Sequence, residues 1–78
     1  MIKTESCLYE TSKGRYFVIL VVETEENVGI LPIEISLSRG FSFGRPMEQL
    51  GTLGKIEEKK QLIEKVKQNL EKLTETTV

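Results

Sequence analysis

The run Tyr16-Phe17-Val18-Ile19-Leu20-Val21-Val22 places an apolar side chain at every one of its positions, so a strand built from it is apolar on both faces. A strand of that kind has to be covered from both sides. This demand constrains the fold of a 78-residue chain more than any other feature of it.

The flanking segments supply a sheet. Ile2 to Glu10 alternates loosely, and Thr11-Ser12-Lys13-Gly14 follows with turn chemistry and a glycine able to take positive φ. Glu25-Glu26-Asn27-Val28-Gly29 closes the central run with a second turn. Beyond it Leu31, Ile33, Ile35 and Leu37 alternate with Pro32, Glu34, Ser36 and Ser38, the pattern of a half-buried strand whose apolar face points at the core. Pro32 cannot donate to a ladder, which favours a strand start, an edge or a bulge there.

Residues 39–54 hold four of the six glycines and Pro46, so they read as a loop or a short fourth strand from Arg39 to Gly44, with one helical turn from Pro46 to Leu50 ended by Gly51. From Lys55 the period becomes helical. Ile56, Ile63, Val66, Leu70 and Leu73 form an apolar stripe widened by Leu62, which predicts one helix over 55–73 and a frayed tail over 74–78. The expected fold is α+β in one domain over 1–78: a three- or four-stranded antiparallel meander with one C-terminal amphipathic helix on one sheet face.

A helix of this length reaches about 28 Å and a nine-residue strand about 30 Å, so one helix can cover one face only. The other face would leave Phe17, Ile19 and Val21, or the opposite row of the same strand, as an apolar patch of a size soluble monomers rarely show. A homodimer is therefore expected, by sheet packing or by continuation of the sheet at an edge, with Phe17, Ile19 and Val21 as its interface. Other aids to a small core are lacking, because Cys7 is the single cysteine and the chain has no histidine.

Catalytic chemistry is poorly supplied. With neither histidine nor aspartate, only Glu, Lys, Tyr and Cys7 remain for proton transfer or attack, and Glu34 falls on the polar face of its strand. Cys7 reads as a half-buried structural thiol. The glycines match neither the dinucleotide fingerprint nor the P-loop, since Gly54-Lys55 is followed by Ile56. No enzyme activity, cofactor, metal or small-molecule substrate is expected. The absence of a long apolar span or a signal-like start points to a cytoplasmic protein without a membrane partner, and abundant Lys and Glu would suit a thermophile.

The net charge of −1 forbids a strong global attraction to nucleic acid but leaves room for a local patch. Residues 39–54 carry two basic side chains against one acidic. There, Arg39-Gly40-Phe41-Ser42-Phe43 resembles the start of the RNP1 motif of RNA-recognition motifs, in which a basic residue meets phosphate and alternate aromatics stack on bases. Gly44-Arg45-Pro46 then departs from that motif. The outline of a three- or four-stranded sheet followed by one helix, dimerising through the sheet or the helix, also resembles the Whirly and PUR single-strand binders. These features predict a non-enzymatic homodimer that binds single-stranded DNA or RNA through Arg39, Phe41, Phe43 and Arg45, with Lys13 and Arg15 assisting from a turn. The competing reading is a protein-interaction or assembly module that uses an exposed sheet face or edge and binds no nucleic acid.

Overall fold

The computed structural model describes residues 1–38 and 41–73, and of 37, 38 and 41–43 the backbone alone. Their order is β1 (Lys3–Glu10), β2 (Tyr16–Glu23), β3 (Asn27–Ser38), β4 (Phe41–Pro46), a 3-10 turn (Glu48–Leu50), β5 (Thr52–Lys55), a second 3-10 turn (Ile56–Glu58) and α1 (Lys59–Glu71). The α+β class read from the sequence is the observed one: an antiparallel sheet followed by a single C-terminal helix.

The sheet runs β1-β2-β3-β4, and β5 pairs with β3 as well. β3 is long enough to hold two partners along one edge: β5 lies against Asn27–Ile30 and β4 against Ile33–Ser38. Pro32 stands between these two stretches, in the middle of a strand rather than at the expected start or edge. The reason is local. In an antiparallel pair the N–H and C=O of one residue point to the same side, and the Pro32 carbonyl accepts a bond from the Met47 N–H at 2.9 Å. Its missing donor therefore faces the gap between β4 and β5, where no ladder bond is lost.

The hairpin between β1 and β2 is closed by Thr11, whose N–H donates to the Arg15 carbonyl at 2.8 Å and whose carbonyl accepts from Gly14 N–H at 3.0 Å. Gly14 takes φ +80° there, a conformation that a side chain disfavours. The β2–β3 turn is tied by Thr24, which donates its N–H to the Asn27 carbonyl at 2.8 Å and accepts from Asn27 N–H on its hydroxyl at 3.0 Å.

The core lies between the sheet and α1. It comprises Phe17, Ile19 and Val21 of β2, Val28 and Ile30 of β3, and Val66 and Leu70 of the helix, with Ile56, Leu62, Ile63 and Leu73 packed at its rim. The helical stripe read from the sequence is thus the packed one, but the α-helix starts four residues later than the expected Lys55. Lys55 instead ends β5 and caps the 3-10 turn, its N–H donating to the Glu58 carboxylate at 3.3 Å. Helix and sheet meet closely at Gly54, where a Cβ would come within 2.6 Å of the Leu62 Cδ1. Glycine at that position lets the helix rest on β5.

Among the described residues no helix is long and apolar enough to cross a membrane.

Candidate interaction surface

Register decides which side chains share a face. Ile19 stands opposite Cys7 and Pro32, Val21 opposite Glu5 and Ile30, and Phe17 opposite Tyr9 and Glu34. All of these lie on the side that carries α1. Phe17 and Ile19 are wholly buried and Val21 nearly so, inside the protomer. The row expected at a dimer interface is therefore the core row, closed off by Val66 and Leu70, and is no surface for a second chain.

Its counterpart is the uncovered row. Tyr16, Val18, Leu20 and Val22 of β2 pair with Ile35, Ile33, Leu31 and Gly29 of β3 and with Glu10, Leu8, Ser6 and Thr4 of β1. Leu53 of β5 joins them opposite Gly29. No element lies over this side among the described residues. Leu53 is 85% exposed and Leu8 67%, and the row between them is half-buried by its own neighbours alone.

β3 shows the same inversion. Its alternation suggests that Leu31, Ile33 and Ile35 point into the core and Glu34 into water. The helix instead covers the side that carries Val28, Ile30, Pro32 and Glu34, which leaves Leu31, Ile33 and Ile35 on the open side. At one end of that side Leu20, Val22, Gly29, Leu31, Leu53 and Glu48 line a shallow apolar groove of about 670 Å³.

Charge is concentrated on the other side, where it anchors the helix. Lys59 bridges Glu5 at 2.5 Å and Glu23 at 3.0 Å near the helix start. These contacts raise the Lys59 ammonium pKa and lower that of the Glu5 carboxyl. Near the helix end Glu71 accepts from the Tyr9 hydroxyl, and from the Ser12 hydroxyl and N–H at 2.7 and 2.9 Å. The hydrogen bond to Glu71 is the main reason that the Tyr9 phenol is pushed up to about 12, while the bonds from Tyr9 and Ser12 hold the Glu71 carboxyl below its usual range.

A pH dependence follows from this clasp. The Tyr9 contribution to stability is complete below the ordinary tyrosine value of about 10 and is lost as pH rises toward 12. The Glu71 contribution is present above the usual carboxylate range and is lost as pH falls through its lowered folded value. Tyrosinate absorbance should therefore show one of the two tyrosines ionising near pH 12, and Tyr9→Phe should remove that late step.

The residues expected to bind nucleic acid are not gathered into one described patch. Arg15 is engaged: its guanidinium bonds Glu34 Oε2 at 2.6 and 2.8 Å and lies 5.8 Å from the Phe17 ring centre, with both partners of the ion pair mostly buried. It lies as a lid over the core. Lys13 is exposed and reaches the Leu73 carbonyl at 3.5 Å. Phe41, Phe43 and Arg45 occupy alternate positions of β4 opposite Ser38, Ser36 and Glu34. Arg45 is exposed, whereas Arg39 and the side chains of Phe41 and Phe43 lie outside the described residues, as does the 74–78 tail.

Cys7 is exposed on edge strand β1 rather than half-buried, because α1 packs most closely on β3 and β5 and leaves most of β1 open. The open apolar face is the second of the two rows that the sequence offers. Its signal was present in Tyr16 to Val22, but a strand apolar on both sides does not say which side the helix takes.

Compared with known proteins, the chain matches no family model, no curated protein and no solved structure.

Proposed function

We propose that this protein is an interaction or assembly module that docks protein on the helix-free face of its sheet. The observation that carries the reading is the outward row Val18, Leu20, Leu31, Ile33 and Ile35, bordered by the protruding Leu8 and Leu53. A continuous aliphatic surface of this kind marks a protein contact in soluble proteins. It lacks the positive charge that nucleic-acid binding draws on.

Single-stranded nucleic acid along β4 is the second reading, favoured by the exposed Arg45 in alternation with Phe43 and Phe41. Site-specific photo-crosslinking in cells separates the two. A photoreactive phenylalanine at Leu53 should give a protein adduct, and the same residue at Gln61, on the outer side of α1, should give none. No adduct from Leu53, or equal adducts from both sites, would overturn the interaction reading. An adduct destroyed by nuclease would put nucleic acid in its place.

A further inference from the structure

We infer that the occupant of the open face is a second copy of this chain, packed sheet against sheet with the two helices outermost. The inference rests on the interaction reading above and names its partner. Three features of the face favour a copy of itself over an unrelated protein.

The first is charge. By register the only ionic residues on this side of the described strands are Glu10 at one corner of the sheet and Lys55 at the diagonally opposite one. With Glu48 at the groove rim the face carries one net negative charge, all of it at the periphery, so two copies can meet across an uncharged middle. A partner selected by charge would find nothing to read across that middle.

The second is area. Four strand positions at about 4.8 Å and strands of about 26 Å give a face of roughly 500 Å² in projection, so two faces remove roughly 1,000 Å² before side-chain relief is counted. That meets the size of about 1,000 Å² at which specific interfaces begin. Packing at about 10 Å between sheets would turn β2 and β3 into strands covered on both sides, which is the condition their sequences set.

The third is shape. Leu53 projects beside the groove lined by Leu20, Val22, Gly29 and Leu31. Each protomer therefore presents an apolar knob and an apolar recess on one surface. A two-fold contact uses the same patch on both partners, so it can satisfy both features twice.

Sedimentation velocity on the purified protein tests this. At tens of micromolar the wild type should sediment as a dimer. Leu53→Glu and Leu8→Glu, at positions too exposed to be needed by the folded protomer, should each weaken the dimer by more than about tenfold while the far-ultraviolet dichroism stays unchanged. A wild-type monomer at this concentration would overturn self-pairing, and dimers unaffected by both substitutions would overturn the assignment to this face. The crosslink at Leu53 separates the two levels of the argument. An adduct with a different protein, together with a wild-type monomer, removes self-pairing and leaves the interaction reading standing, whereas no adduct removes both.

Discussion

Phe17→Ala is expected to cost about 3–5 kcal/mol, read as a large fall in the urea midpoint. Phe17 is wholly buried and is the bulkiest of the fully buried side chains; it lies under the Arg15 guanidinium. Truncation removes its transfer free energy and leaves a cavity roofed by an ion pair that has no way to collapse into it. A domain of this size has only about 4–12 kcal/mol in total, so the variant should be close to unfolded at room temperature. A loss below about 1 kcal/mol would show that the helix does not cover this row.

The adjacent residue makes the contrast. Val18 belongs to the opposite face, and within one protomer its side chain meets no helix. Neighbouring apolar residues of one strand thus serve two different ends. Phe17, Ile19 and Val21 hold the protomer together, while Val18, Leu20 and Val22 line the face without a helix.

Much of this architecture was legible in the residues. Tyr16 to Val22 declares a central strand, Thr11 to Gly14 its first turn, and the Ile63, Val66, Leu70 spacing a helix with one packed stripe. β5 was not legible. Thr52-Leu53-Gly54-Lys55 has two glycines in or beside it and no alternation to speak of, and it is a strand because Asn27–Ile30 offers it a free ladder. The start of the helix was obscured for the same reason, since Lys55 and Ile56 fit a helical period but are taken by β5 and the 3-10 turn.

The side taken by the helix was the main thing hidden. β3 suggests that Leu31, Ile33 and Ile35 face inward, and in the protomer they do not. What settles the matter is spread along the chain: a glycine at position 54 under Leu62, Lys59 between Glu5 and Glu23, and Glu71 in reach of Tyr9 and Ser12. Each is a contact between residues more than seven positions apart, and none leaves a periodic trace. Among the proposed nucleic-acid residues, the fate of Arg15 was hidden likewise, because its partner Glu34 reads as solvent-facing until the helix side is known.

The second large effect concerns association. If folding is completed by a second copy, the unfolding midpoint must rise with protein concentration. A hundredfold rise changes the free energy by about 2.7 kcal/mol per dimer, and an unfolding entropy of about 2.1 cal/mol/K per residue over two chains turns this into about 8 °C. Leu53→Glu should flatten the dependence, with a midpoint at or below the wild type's value at the dilute end.

Thermal unfolding of the wild type and Leu53→Glu across a hundredfold range of concentration is thus the most direct measurement. The account predicts a rise of about 8 °C for the wild type and none for the variant. A wild-type midpoint that does not move, or one that moves equally in both proteins, would contradict it.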